Sequence, residues 1–142
     1  MRIFLAILLL LLSSCYKDHL YVQQENVDVT FLASYWVRTP DPRLAHPPRG
    51  QRLLIGWDFP YSLFSQDLTL KTTVRFWDNE EKVIEEHVNY RRGSTAYSFS
   101  EADRNKILTY KVEVVTDDGE IAETWKHHFW TERIVISDER SE

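Results

Sequence analysis

Apolar and polar residues alternate along much of this chain. The first clear case begins at residue 26, where Val27, Val29 and Phe31 alternate with Asp28 and Thr30. A repeat of two is typical of a strand that buries one face and exposes the other. The pattern therefore predicts a first half-buried strand here.

The same repeat predicts six further strands. Leu53, Ile55, Trp57 and Phe59 share one parity, and Pro60 ends their run. Apolar residues with this spacing form one face of a strand. The remaining predicted strands cover 68–77, 82–90, 95–99, 110–114 and 120–131.

Turn-forming residues separate these runs. The stretch 39–50 holds four of the five prolines, and proline cannot donate to a sheet ladder, so it is predicted to be an irregular loop. Asp117-Asp118-Gly119 predicts a hairpin turn, and Asp78-Asn79-Glu80 and Arg91-Arg92-Gly93-Ser94 predict two more turns. Only 100–106 has helical character, with Ser100 suited to an N-cap.

About seven short strands within roughly 110 residues predict the fold class. We expect an all-β protein with a single antiparallel β-sandwich over residues 26–136. A polar tail would follow at 137–142. No internal repeat divides the chain.

Two segments of the predicted sandwich resemble fibronectin type III domains. The run Leu53-Leu54-Ile55-Gly56-Trp57-Asp58-Phe59-Pro60 is similar to the second strand of that family, with its core tryptophan and nearby proline. The stretch 94–120 resembles the family's E–F region, because Tyr110 begins a strand of alternating valines that leads to an Asp-Gly hairpin. The resemblance implies an immunoglobulin-like or fibronectin type III-like domain.

The first fourteen residues have a different pattern. An apolar run from Ile3 to Leu12 follows Arg2 and precedes Ser13 and Ser14. Ten residues rise only about 15 Å as a helix, half of a bilayer's hydrocarbon thickness. This length, the preceding cation and the small residues predict a secretory signal peptide over 1–14.

The motif Leu12-Ser13-Ser14-Cys15 resembles the lipobox of bacterial lipoproteins. The resemblance implies a diacylglyceryl thioether on Cys15, cleavage before it and acylation of its new amine. Two or more acyl chains give stable membrane anchoring. Residues 15–25 would then be the lipidated cysteine and a tether, and the alternative is an ordinary secretory signal with a chance cysteine.

Charge and cysteine content limit both the disulfides and the classes of partner that can be expected. Cys15 is the only cysteine, so an acylated chain has none left for a disulfide. Loss of residues 1–14, which include Arg2, changes the formal net charge from −5 to −6. An acidic chain without a basic patch lacks the electrostatic features of a nucleic-acid partner. The predicted membrane contact is the lipid itself.

Candidate catalytic groups are sparse. Glu85 and His87 would share a strand face, whereas His127 and His128, as neighbours on a strand, would point to opposite faces. No set of three or four ligands has a metal-site spacing, and no nucleophile elbow or phosphate loop is present. The sequence predicts a protein that is not an enzyme and needs no cofactor or metal.

Aromatic residues are the better candidates for recognition. They make up 13% of the chain, which is high for one sandwich core. Exposed indoles stack on sugars or anchor protein partners. The alternative is that the loop or the tether covers them, and the arginine-containing loop 39–50 is a second candidate surface whose alternative is a solvated connection. The candidate binding residues are Trp36, Trp77, Trp125 and Trp130, while Trp57 is assigned to the core.

These observations predict a lipid-anchored protein of the cell envelope. Its expected role is a non-enzymatic protein-interaction or assembly module, with binding of peptidoglycan or another polysaccharide as the alternative. The two residues after Cys15 are Tyr16 and Lys17, and neither is an aspartate. The resemblance to Gram-negative lipoproteins then implies the outer membrane, facing the periplasm. In a cell with one membrane the domain would face outside.

Overall fold

Seven strands form two antiparallel sheets in the computed structural model, which describes residues 18–100 and 106–133. One sheet has the order β1-β2-β5 and the other β4-β3-β6-β7. The predicted all-β, antiparallel sandwich of about seven strands is therefore confirmed. The strands are β1 (Leu20–Val27), β2 (Gly50–Asp58), β3 (Leu68–Phe76), β4 (Glu81–His87), β5 (Arg92–Ser100), β6 (Ile107–Thr116) and β7 (Ile121–Lys126).

The core lies between the inward faces of the two sheets. On β2, Leu53 and Ile55 are fully buried, and Phe59 follows the strand in the same buried state. On β3 and β6 most residues that face the opposite sheet are buried, and four outward polar residues, including Arg75 and Glu113, are buried as well. The alternation in the sequence therefore predicts which residues form this core, among them Leu70, Val74, Val112 and Val114.

The strand register defines two ends of the sandwich. Leu20 of β1 pairs with Trp57 of β2, and Trp57 pairs with Gly93 of β5, so these residues mark what we call the N-terminal end. Val27, Gly50 and Ser100 pair in the same way at the opposite, distal end. In the other sheet, Ile107 of β6 belongs to the distal end, because its N–H donates to the side chain of Gln51 at 2.6 Å.

The N-terminal boundary of the domain differs from the prediction. Residues 20–25, assigned to a tether, belong to β1, which pairs with β2 over its whole length. Alternation is weak in this stretch, because only Leu20 and Val22 are buried and they lie at one end of the strand. Pairing with β2 places the segment in the sheet.

The predicted strand through Phe31 is also wrong beyond Val27. A 3₁₀ helix covers Val29–Phe31, and the α-helix α1 covers Ala33–Val37. The carboxylate of Asp28 accepts the backbone N–H of Thr30 at 2.8 Å, which caps the 3₁₀ turn and ends the strand. A local side-chain hydrogen bond here competes successfully with sheet pairing.

The connection between β2 and the preceding helix matches the predicted loop over 39–50. Its one regular element is the 3₁₀ helix Pro42–Leu44, with Asp41 as N-cap. A second short helix, α2 (Tyr61–Phe64), connects β2 to β3. No helix among the described residues is long and apolar enough to cross a bilayer.

The remaining boundaries show smaller differences. β5 begins at Arg92, inside the predicted turn 91–94, and β7 ends at Lys126 instead of continuing to residue 131. The predicted turns after β3 and β6 are present, with positive φ at Asn79 (66°) and Gly119 (81°). Ser100 is the last residue of β5, and the rest of the helix-prone stretch up to residue 105, the predicted signal peptide 1–14 and the tail 137–142 lie outside the described residues.

Candidate functional site

Trp36 lies in the connection between β1 and β2, at the distal end. It belongs to α1, which ends at Arg38 in a left-handed conformation (φ 53°). Its Nε1 donates to the carbonyl of Thr30 at 2.7 Å, and the ring of Tyr35 meets it edge-on at 5.4 Å. The side chain is nevertheless 69% exposed, so its orientation is fixed while its ring remains accessible.

Trp77 is the second exposed tryptophan. It follows β3 directly, and its backbone N–H donates to the carbonyl of Lys106 at 3.0 Å, beside the start of β6. The side chain is 67% exposed. The topology therefore places Trp36 and Trp77 at the same end of the sandwich, on different connections.

Trp125 has a different environment. It lies on β7 opposite Val112, a fully buried residue, and its partly buried ring packs against the core. The indole therefore fills the sandwich, whereas the sequence predicted that Trp125 would be either exposed or covered by the loop or the tether. Trp57 is likewise partly buried against the core, and its Nε1 donates to the carbonyl of Tyr90 at 2.8 Å.

Trp130 lies on the outer face of the four-stranded sheet. The guanidinium carbon of Arg75 is 4.7 Å from its ring centroid, and Nζ of Lys111 is 5.3 Å away. Its Nε1 donates to the carboxylate of Glu132 at 3.0 Å. The chain after β7 thus returns over the sheet and places an indole on its charged surface.

A cleft of about 280 Å³ lies beside Trp130. Its walls are the outward residues of β3, β4 and β6 together with the chain after β7. The principal charged residues that line it are Lys71, Arg75, Glu81, Lys111, Glu113 and Glu132. This group was not predicted from the sequence, although the polar residues that alternate with the apolar residues of β3 were a signal for it.

Ion pairs organise the cleft. Arg75 is 7% exposed and pairs with Glu81 at 2.7 Å, while its Nη1 donates to the carbonyl of Thr131 at 3.0 Å. Lys111 pairs with Glu113 at 3.1 Å. The hydrogen bond from Trp130 and the cations of Lys126 and Lys111 lower the pKa of Glu132. The result is a polar surface of alternating charge with one aromatic edge.

The two neighbouring histidines contact each other, contrary to the prediction. They lie after the end of β7, and the rings of His127 and His128 are 4.1 Å apart with a tilt of 47°. Neighbouring side chains point to opposite faces only in a strand. Here the backbone N–H of Trp130 donates to the carbonyl of His127, so the two histidines lie in a turn. The ring centroids of His127 and Tyr110 are 4.9 Å apart. Burial is the main cause that lowers the pKa of His127, and the charge of His128 lowers it further.

Some of the charged residues in and beside the loop 39–50 form ion pairs within the protein. Asp41 pairs with Arg43 at 2.9 Å and accepts the hydroxyl of Ser34 at 2.8 Å. The hydrogen bonds from Arg43 and Ser34 lower the pKa of Asp41 to about 2. Arg52 pairs with Glu25 at 2.6 Å and lies over Phe31. Two of the four arginines in or beside this loop therefore have intramolecular partners; the four are Arg38, Arg43, Arg49 and Arg52.

Among residues 18–100 and 106–133, no cluster of three or more His, Cys, Asp or Glu side chains is placed to hold a metal ion. Cys15 precedes the described residues, and β1 begins five positions after it. Comparison with protein-family models, curated proteins and solved structures found no match.

Proposed function

We propose that this protein is a lipid-anchored lipoprotein of the cell envelope. It acts as a non-enzymatic module for protein interaction or assembly, with the anchor at Cys15. The lipobox resemblance supports the anchor, and the arrangement of apolar run, small residues and cysteine fits the required order. The proposed location is the outer membrane, facing the periplasm.

The exposure of Trp36 and Trp77 is the observation that carries the interaction role. Indoles that are 69% and 67% exposed leave apolar surface in water, and such aromatic residues are enriched at the energetic centres of interfaces. Trp36 is already oriented by its hydrogen bond to Thr30, so less side-chain entropy is lost on binding. The exposed tryptophans are therefore prepared to contact a partner.

Their position fits an anchored protein. Four residues separate Cys15 from Leu20, and four residues reach at most about 14 Å. The nine residues of β2 extend roughly 30 Å from the distal end to the N-terminal end. The tryptophans lie at the end away from the anchor, where the attachment leaves them accessible.

The sandwich supports an immunoglobulin-like or fibronectin type III-like interaction module. Such domains share two packed antiparallel sheets. In this chain the fourth strand pairs with β3, which distinguishes the arrangement from constant-type immunoglobulin domains, whose fourth strand joins the first, second and fifth. We propose the fibronectin type III-like form.

The anchor is tested by acyl labelling of the full chain in its native cell. Cys15→Ala should abolish incorporation of labelled fatty acid and release the protein from the membrane fraction. Ser14→Ala keeps a small residue before the cysteine and is the matched control. Persistent labelling of the Cys15→Ala variant would refute the anchor.

The interaction role is tested by crosslinking in the intact envelope. Trp36→Ala and Trp77→Ala should each reduce recovery of a specific crosslinked partner at least tenfold. Tyr90→Ala is the control, because Tyr90 is 73% exposed and lies near Trp57 at the N-terminal end. Equal recovery from all three variants would overturn the assignment of the distal end.

Glycan binding is the second candidate function, and the cleft beside Trp130 favours it. An indole next to carboxylates and cations combines a ring that can stack on a sugar with groups that can hydrogen-bond to it. Soluble peptidoglycan fragments should then change the tryptophan fluorescence of the wild type, and Trp130→Ala should abolish the change. No response over a panel of peptidoglycan and polysaccharide fragments would remove this candidate.

A further inference from the structure

Two sheets have four edge strands, and three of them carry protective features. β4 contains Glu81, Lys82, Glu85 and Glu86 within seven residues. Charged side chains on an edge discourage pairing with another chain. An added strand along β4 would have to accommodate this row of charge.

The edges formed by β1 and β7 lie near each other and are partly occupied. The carboxylate of Glu123 on β7 accepts the backbone N–H groups of His19 and Leu20, each at 3.1 Å. β7 also contains Lys126, and its pairing with β6 shifts register at Val114/Val115. A register shift of this kind twists an edge and interrupts a regular ladder.

After its first residue, Arg92, β5 has neither charged side chains nor a register shift. From Gly93 to Ser100 it contains no charged residue and no proline. Its register with β2 is regular over all nine residues. Among the described residues, 93–99 make no backbone hydrogen bond on the side away from β2. Of the four edges that the described strands form, this one therefore has no protective feature.

The side chains of β5 also leave room for an added strand. The residues on its outer face are small, namely Ser94, Ala96 and Ser98. Thr95, Tyr97 and Phe99 face inward, and Phe99 belongs to the core. From Ser94 to Ser98 the outer face of β5 itself therefore carries only small, uncharged side chains.

We infer that β5 is a self-association edge, which pairs antiparallel with β5 of a second copy of this chain. A register centred on Ala96 pairs Ser94 with Ser98 and Gly93 with Phe99. No like charges then lie opposite each other in this stretch, and such repulsion is the usual obstacle to pairing identical strands. The contact is isologous and closes as a dimer with a six-stranded sheet, β1-β2-β5-β5-β2-β1.

The symmetry is compatible with an anchored protein. The two-fold axis of an antiparallel strand pair within one continuous sheet is perpendicular to that sheet. Both copies of Leu20 then lie at the same height along this axis, so both tethers reach one membrane when the axis is normal to it. The strands then run parallel to the membrane, so each distal end is separated from its own N-terminal end along the membrane surface and not in height. The inference goes beyond the proposed function, since self-association requires neither the anchor nor another partner.

Disulfide trapping in native membranes tests the dimer. Residues opposite each other in an antiparallel pair have Cα atoms about 4.5–5.5 Å apart, within the range of a disulfide. Ala96→Cys in the full chain should give a crosslinked dimer on mild oxidation, with Ser94→Cys and Ser98→Cys covering neighbouring registers. Thr124→Cys is the matched control, because Thr124 is an exposed residue on another edge strand.

Charge substitutions at Ala96 distinguish a stable dimer from a disulfide formed by random collision of two copies. Ala96→Lys and Ala96→Glu should each weaken self-association at least tenfold in detergent, measured by sedimentation, and a mixture of the two should restore it. Thr124→Lys should leave the wild-type dimer unchanged.

Monomeric wild type at all concentrations, equal trapping by Thr124→Cys, or trapping of β5 to another protein only would overturn the inference. These outcomes are independent of acyl labelling and of partner crosslinking at the distal end.

Discussion

The hydroxyl of Tyr97 donates a 2.5 Å hydrogen bond to the carboxylate of Glu86 and so joins the two sheets. Tyr97 lies on β5 and Glu86 on β4, the edge strands on the side of the sandwich away from the β1–β7 contact. Both side chains are partly buried. The bond therefore links the two sheets along the side formed by β4 and β5.

Removing this hydrogen bond should destabilise the domain. Tyr97→Phe keeps the ring but leaves the carboxylate of Glu86 without its donor, and we expect a loss of about 1.5 kcal/mol in the free energy of unfolding. Chemical denaturation monitored by circular dichroism measures it. Tyr90→Phe, at an exposed position, should change the value by less than about 0.5 kcal/mol. Equal stability of the two variants would contradict a structural role for the bond.

The same pair predicts loss of stability at alkaline pH. Burial and the neighbouring Glu86 carboxylate raise the pKa of Tyr97 to about 12 from 10.0. The unfolded phenol releases its proton first, so stability is complete below pH 10 and declines as pH rises towards 12. Thermal unfolding between pH 9 and 12 should show this decline in the wild type, and Tyr97→Phe should show a smaller one.

Gly93 should be intolerant of a side chain. A Cβ at this position would lie 2.6 Å from the indole of Trp57, whose Nε1 is held by the carbonyl of Tyr90. We expect Gly93→Ala to displace the ring, shift the tryptophan emission and cost about 1–3 kcal/mol. Gly56→Ala is the matched control, because its Cβ would have only one neighbour, the carbonyl oxygen of Gly93 at 3.9 Å. Unchanged emission of Gly93→Ala would show that Trp57 is not fixed by this contact.

Trp130 should stabilise the chain that follows β7. Its ring covers the buried Arg75, and cation–π contacts of this kind contribute about 0.5–2 kcal/mol. Trp130→Ala should therefore lower stability and accelerate amide hydrogen exchange in 127–133. Trp36→Ala removes a mostly exposed indole and should have a smaller effect on stability. Slow exchange retained in Trp130→Ala would mean that the ion pairs alone hold this segment.

His127 predicts a separate effect on the acidic side. Burial and the nearby His128 lower the pKa of His127 below 6.5, so the folded state takes up its proton later than the unfolded state as pH falls. Stability from the neutral ring is therefore complete above pH 6.5 and is lost at lower pH. Nuclear magnetic resonance titration should give a midpoint below 6.5, and His127→Phe should reduce the loss of stability. A midpoint at or above 6.5 would contradict the packing of His127 on Tyr110.

The sequence predicted the strands best where alternation and turn residues agreed. β3 and the hairpin at Gly119 are examples, since both features are local. β1 was missed because its apolar residues are few and its stability comes from pairing with β2. The cleft beside Trp130 depends on residues from β3, β4, β6 and the chain after β7, which no single stretch reveals.

Side-chain parity and turn-forming residues act over a few positions, and they were sufficient to predict an all-β sandwich from the sequence. The sequence also contained the lipobox-like motif and the tryptophans as candidates. The exposure of Trp36 and Trp77 at one end, the inward packing of Trp125 and the position of β5 as an edge without charge after Arg92 became visible only in the folded protein. Exposure and edge position depend on which strands become neighbours, and that is set by pairing between residues far apart in the chain.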